Sequence, residues 1–314
     1  MNALPAAAHG PSGRQGHNGR WLSGALGEHE AQPTEEPRRI RQMSAHSAYN
    51  TSIAMEFFRS AGTPRTFAKG KKIFTENQRG IPFLLMPNRM YLLLDGEVAI
   101  FSKGRPIGTV RPGQIFGEMA LIDQGPRSGS AVARSVCRVI ALDNRQLQTA
   151  LGKNPEFALM LMSVMIGRLR ESIGRVGGYD SAGTPRSRES IPLSKDLIAD
   201  LSRVVGPEAR HSHEAGNTIV KEGQIGVLMY VVLKGRVGIR VGGSVVENVG
   251  PGGVFGEMAL VDRTPRLASA VAESDCRLLA INRSAFLSLV KHSRRFAASL
   301  LTAVSARARF MTAR

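Results

Sequence analysis

Hydrophobic and polar positions alternate along this chain in two rhythms, and the pair of rhythms occurs twice. Short apolar or β-branched runs bounded by turn signals predict strands at Lys72–Thr75, Met90–Leu94, Val98–Phe101 and Ala131–Leu142, with Asp95-Gly96, Lys103-Gly104 and Arg111-Pro112-Gly113 as turns. The texture returns at Thr218–Lys221, Leu228–Leu233, Val237–Val241, Val245–Val249 and Ala270–Ile281, broken by Glu222-Gly223, Lys234-Gly235 and Gly250-Pro251-Gly252-Gly253. After each set the period becomes helical. Asn154–Val176 opens on an Asn-Pro-Glu start signal and carries Met162, Ile166, Leu169, Ile173 and Val176 at alternating spacings of four and three, a single apolar stripe. Ala285–Met311 has a weaker stripe through Phe296, Leu300 and Val304, and Leu193–Val205 reads as a helix entering the second set. Stripes this short fit a helix packed on its own strands as well as one facing a partner.

The two halves are copies of one module. Laying Gly96 on Gly235 also lays Tyr91 on Tyr230, and in that register Pro112–Ala141 and Pro251–Ala280 agree at 19 of 30 positions. The shared residues include Phe-Gly-Glu-Met-Ala-Leu at Phe116–Leu121 and Phe255–Leu260, then Pro126-Arg127 and Pro265-Arg266, Ser130–Ala133 and Ser269–Ala272, and Cys137 and Cys276. Gly70 answers Gly216 out of that register, which places seven extra residues around Gly80–Arg89 of the first copy. The pattern predicts a mainly β fold with flanking α-helices. Its expected divisions are a disordered extension over 1–50, a first domain over 51–176, a linker over 177–190 and a second domain over 191–314.

The most similar segment carries readable chemistry. A glycine turn leads into a short helical turn whose first N–H groups lack intrahelical partners, which favours an anion. A few residues later an arginine offers a planar fork for two phosphate oxygens, among small residues that admit a ligand to the backbone. Glu118 and Glu257 sit oddly beside a phosphate unless they accept hydrogen bonds from something else, such as ribose hydroxyls. A sugar phosphate fits both charges.

Phe-Gly-Glu-Met-Ala-Leu followed by Pro-Arg resembles the phosphate-binding cassette of the cyclic-nucleotide-binding domain family. The resemblance implies two tandem cyclic-nucleotide-binding β-rolls, double-stranded β-helices akin to jelly rolls, with cyclic AMP as ligand, cyclic GMP as the alternative at the first site, and no cofactor or metal. Carried over by motif position, the first site would comprise Phe116, Gly117, Glu118, Met119, Ala120, Pro126, Arg127, Ser128, Gly129 and Ser130. The second would comprise Phe255, Gly256, Glu257, Met258, Ala259, Pro265, Arg266, Leu267, Ala268 and Ser269. The glutamates would take the ribose 2′-hydroxyl and the arginines the exocyclic phosphate oxygens. Pro-Arg-Leu-Ala-Ser of the second copy keeps the family pattern. Pro-Arg-Ser-Gly-Ser of the first departs at Gly129, a change expected to add room.

Composition narrows the rest. The duplication accounts for Thr51 onward, so no catalytic domain is expected. No run reaches the ~18 apolar residues of a membrane span, and the N-terminus lacks a basic region followed by an apolar core, so a cytoplasmic protein is expected. Two cysteines at equivalent strand positions read as buried thiols. His211-Ser212-His213-Glu214 has no second ligand cluster, and Ser288-Leu289-Val290-Lys291 lacks the companions of an acyl-transfer site. The formal net charge of +17 admits polyanions, but one helix after the second roll leaves no room for a helix-turn-helix, and sequence-specific DNA binding is not expected.

The expected function is a cyclic-nucleotide sensor without catalytic activity, acting on a protein effector, a kinase or another, through movement of the helices after each roll; a homodimer contact through them is a further expectation. The alternatives are a Crp/Fnr-type regulator without its DNA-reading domain and a scaffold with degenerate sites.

Overall fold

Each module is built from two sheets of antiparallel strands, and apart from one hairpin successive strands lie in opposite sheets, so the polypeptide repeatedly crosses from one sheet to the other. The computed structural model describes residues 49–80, 88–176 and 187–313; most of the expected N-terminal extension, of the insertion and of the linker lies outside the described residues. In the first module β1 (Thr63–Phe67), β8 (Cys137–Asp143), β3 (Arg89–Asp95) and β6 (Ile115–Phe116) form one sheet, in that order. The second sheet runs β2 (Lys72–Phe74), β7 (Ser130–Ala133), β4 (Val98–Ser102) and β5 (Arg105–Val110). The second module repeats this with β10 (Arg210–His213), β17 (Cys276–Asn282), β12 (Leu228–Lys234) and β15 (Val254–Phe255). Its other sheet is β11 (Thr218–Val220), β16 (Ser269–Ala272), β13 (Val237–Val241) and β14 (Ser244–Val249), extended by β9 (Arg188–Glu189), which pairs parallel to β14. Part of the expected linker is therefore a strand of the second module.

The inward positions of facing strands fill each roll. Leu93, Val98, Phe116 and Val139 are buried between the sheets of the first, and Val232, Val237, Phe255 and Leu278 between those of the second. Each fully buried side chain of this size is worth about 1.5–3 kcal/mol. Cys137 and Cys276 are buried free thiols, with Sγ donating to the carbonyls of Glu97 (3.3 Å) and Arg236 (3.2 Å).

Two apolar runs expected as single strands divide. Ala131–Leu142 and Ala270–Ile281 each begin in one sheet and end in the other, and the crossing breaks them; Ser135 and Ser274 brace the break by accepting from the amides of Glu97 and Arg236, each at 3.0 Å. The helix expected over Ala285–Met311 is likewise two helices, Arg283–His292 and Arg294–Ala313, because Ser293 turns extended (φ −120°, ψ 94°) and caps the second through its hydroxyl, which accepts from Phe296 N at 3.3 Å.

The long helices decide how the modules meet. Pro155–Val176 (α4) and Arg294–Ala313 (α8), the fourth and eighth α-helices along the described chain, pack against each other. Their contact includes Met165, Leu169, Val304 and Ala308. In the register that superposes the two cassettes, Met165 falls on Val304 and Leu169 on Ala308, so equivalent stripes of the two copies face each other. A second cluster joins Phe57, Phe157 and Leu161 to Phe286, Phe296 and Leu300, a core shared by both modules.

Candidate functional site

At the end of the two-residue strands β6 and β15, Gly117 (φ +74°) and Gly256 (φ +83°) turn the chain in a conformation that side chains with a Cβ rarely adopt. A Cβ there would also stand 3.0 Å from Nη1 of Arg127 and 2.9 Å from Nη1 of Arg266. These glycines let the arginine fold back over the turn. Arg127 Nη1 donates to Gly117 O at 2.8 Å, and its guanidinium carbon lies 4.2 Å above the Phe74 ring. Arg266 donates to Gly256 O and Leu228 O, each at 2.5 Å.

Neither arginine forms an ion pair among the described residues. Burial lowers the pKa of both guanidiniums; Tyr91 and Glu118 oppose it at Arg127, and Tyr230 and Glu257 at Arg266. Arg127 is only 5% exposed. A cation taken out of water without a counter-charge is costly, by several kcal/mol after relaxation. Arg127, and the half-buried Arg266 at the equivalent place, each line a cavity, a seat where an anion would supply the missing charge.

The two glutamates are buried beside these seats and are met by arginines from the long helices. Glu118 lies 3.6 Å from Arg168 Nε, and Glu257 accepts from Arg307 Nη1 at 2.6 Å. Arg168 and Arg307 hold equivalent positions of the two copies, so the pairing was duplicated with the roll. The second copy adds more: Arg307 Nε donates to Glu247 at 2.7 Å, its other terminal nitrogen donates to Val254 O, and Arg188 reaches Glu247 at 3.8 Å. Burial opposes the charge on Arg307, but the attraction and hydrogen bonds of Glu247 and Glu257 outweigh it and push its pKa above the ordinary value. The first module has Gly108 at the position equivalent to Glu247. The first cavity measures about 390 Å³ and the second about 100 Å³.

All the expected first-site residues except Pro126 and Ser130 line the first cavity, and all the second-site residues except Pro265 line the second. Ser130 and Ser269 brace the neighbouring loops, accepting from the amides of Glu76 (2.8 Å) and Glu222 (3.0 Å). Gly129 does not add room as expected, because a Cβ there would come within 2.6 Å of Phe101 O. The strand β4 approaches the cassette too closely for alanine.

Sequence reasoning missed Arg168, Arg188, Glu247 and Arg307 as site residues, and also the part of each cavity's lining that the long helices supply. In the first, the hydroxyls of Ser172 on α4 and Thr312 on α8 lie 3.1 Å apart; in the second, the corresponding wall is Ile173, Phe310 and Met311. Both modules contribute to both walls. Among the described residues no cluster of three or more His, Cys, Asp and Glu side chains is placed to hold a metal ion, and no helix is long and apolar enough to cross a membrane.

The sequence profile of the family described as Cyclic nucleotide-binding domain matches residues 64–154 and 210–293, together more than half of the chain. The chain is 28% identical over 225 residues to a cAMP-dependent protein kinase regulatory subunit of Eremothecium gossypii, covering 71% of this chain and 43% of that protein. It is 29% identical over 233 residues to the regulatory subunit of Colletotrichum orbiculare, covering 71% of this chain and 54% of that protein. It thus spans about half the length of these curated relatives. A solved structure, the regulatory domain of Toxoplasma gondii PKA with cAMP, is 20% identical, with 85% of this chain and 96% of that one covered and a TM-score of 0.29, a likeness on which nothing further rests.

Proposed function

The chain belongs to the cyclic nucleotide-binding domain family, and from that premise we propose that it is a two-site cyclic-nucleotide sensor acting on a protein kinase catalytic subunit, with no catalytic activity of its own. The observation that carries this reading is the pair of arginines, Arg127 and Arg266, each without an ion-pair partner and beside a buried glutamate. A 3′,5′-cyclic nucleotide supplies what each seat lacks. Its exocyclic phosphate oxygens take the arginine fork, and its ribose 2′-hydroxyl donates to Glu118 or Glu257. The kinase partner is supported by the relatives, which are kinase regulatory subunits by name. Those relatives speak against the Crp/Fnr-type alternative.

The output would pass through α4 and α8. Arg168 and Arg307 connect the ribose-binding glutamates to these helices, so a ligand that changes either pairing changes how the helices sit. A ligand shifts such an equilibrium only by its difference in affinity for the two arrangements. The test is thermal melting of the full chain with cyclic AMP or with 5′-AMP. A ligand present at ~100 times its Kd stabilises the folded chain by about 2.7 kcal/mol per site. Cyclic AMP should raise the midpoint and 5′-AMP should not; an unmoved midpoint with saturating cyclic AMP counts against the proposal.

The sites should differ in base preference. The first offers hydroxyls from Ser128, Ser172 and Thr312, whereas the second offers Leu267, Ile173 and Met311. Site two is expected to prefer cyclic AMP. Site one should tolerate cyclic GMP better by about one hydrogen bond's net worth, roughly 0.5–1.5 kcal/mol or up to tenfold. Titration of the full chain with both nucleotides, with the opposite seat silenced by Arg127→Ala or Arg266→Ala, measures this; equal preference ratios at the two sites would show that these side chains do not read the base.

A further inference from the structure

Two further arginines of the long helices, outside the cavities' own charge pairs, reach across the molecule. Arg309 of α8, which follows the second roll, grips the first module's cassette. Its Nε and Nη2 donate to the two carboxylate oxygens of Asp123, each at 2.7 Å, and Nη1 donates to Pro126 O. Arg170 of α4, which follows the first roll, grips the second cassette. Its Nε donates to Asp262 at 2.6 Å, and both terminal nitrogens donate to Pro265 O at 3.4 Å. Arg170 and Arg309 are equivalent positions of the two copies, as are Asp123 and Asp262, and Pro126 and Pro265. One cross-link is therefore built twice, with the modules exchanging roles.

The location gives these links their consequence. Pro126 and Pro265 immediately precede the arginines of the seats, so each clamp fixes the carbonyl next to the phosphate-holding residue. Each carboxylate is also tied within its own loop: Asp123 accepts from Gly125 N at 2.9 Å, and Asp262 from Thr264 N at 3.1 Å and Thr264 Oγ1 at 2.9 Å. A Cβ on Gly125 would lie 2.9 Å from Arg309 Cζ, so that glycine gives the guanidinium its place against the cassette. The side chains are 22% and 7% exposed for Arg309 and Asp123, and 15% and 12% for Arg170 and Asp262. This is well below the exposure at which ion pairs contribute little.

We infer that Arg170 and Arg309 are positioning residues for the ligand seat of the opposite module, so that neither seat is complete within its own roll. Each site is then coupled to the other through the helix that follows it, because a shift of α8 on filling site two pulls on the loop of site one, and α4 does the converse. Such coupling is reciprocal in binding free energy and typically amounts to about 5–150-fold in affinity. The inference rests on reading the cavities as cyclic-nucleotide sites.

The test uses the full chain, with each site read in a background where the other seat is silenced by Arg→Ala. Arg309→Ala should weaken cyclic AMP at site one by roughly tenfold and leave site two within about twofold; Arg170→Ala should do the reverse. Arg309→Lys, which keeps a cationic donor for Asp123 but not the fork that also reaches Pro126 O, should lose less than Arg309→Ala at site one and nothing at site two. Equal losses at both sites, or a loss at the arginine's own module, would overturn the inference. Hydrogen exchange of the unliganded protein tests the clamp independently of any ligand: Arg309→Ala should speed exchange across 118–129 and spare 257–268. If exchange were unchanged, the clamp would be wrong; if the wild type failed to bind cyclic AMP while exchange behaved as expected, the ligand reading would fail and the clamp would stand.

Discussion

Arg127→Ala is expected to weaken cyclic-nucleotide binding at the first seat by about 2–5 kcal/mol, or roughly 30-fold to several thousandfold, because it strands a buried phosphate without its charged partner. The same change at Arg266 should silence the second seat. The side chain's other contacts make the outcome diagnostic. Arg127 stacks on Phe74 and donates to one backbone carbonyl, and it has no carboxylate partner, so losing it removes little that holds the fold together. The unliganded variant should therefore melt close to the wild type while titration shows the loss of binding. If Arg127 were a structural staple, melting would fall and any binding that remained would keep its affinity.

Arg307→Met should have the largest effect on stability, a loss of about 3–5 kcal/mol in the free energy of unfolding, because removing one partner of a buried ion pair leaves the other charge uncompensated. Here Glu257 would lose its ion-pair partner and Glu247 would keep only Arg188, at 3.8 Å. Methionine retains most of the packing volume, so the loss reports on charge more than on cavity formation. Denaturant unfolding with an unchanged m-value would measure it. Adding Glu247→Gln to Arg307→Met should recover part of the stability, since it removes one of the two charges that lost Arg307; no recovery would place the cost elsewhere. The equivalent Arg168→Met in the first module should cost much less, because Arg168 lies 3.6 Å from Glu118 and is 40% exposed.

The contrast between these two arginines shows what the sequence made legible. The rolls and cassettes were readable because their signals are local. Phe-Gly-Glu needs a glycine at positive φ, and apolar runs of period two end at turn residues wherever the chain changes sheets. The hairpin strand Arg105–Val110 escaped notice because only Val110 among its residues is buried, leaving no alternation to detect. Helix Thr51–Ala61 depends on Asn50 as its cap, whose side chain accepts from Ser52 N and Ile53 N. The ion pairs of the long helices were hidden for another reason. Arg168, Arg170, Arg307 and Arg309 look like the solvated face of an amphipathic helix until the partner helix and the opposite cassette are in place. Their recurrence in the register of the duplication was the available clue, and it marks the same residues that join the modules. Glu247 had no such clue, since its counterpart is glycine.

The most direct measurement of the central claim is a calorimetric titration of the full chain with cyclic AMP, repeated for Arg127→Ala, Arg266→Ala and the double variant. The wild type should bind two equivalents, each single variant should lose one, and the double variant should give no binding heat while remaining folded by circular dichroism. A wild type that gives no binding heat, or a double variant that binds as the wild type does, would contradict the account.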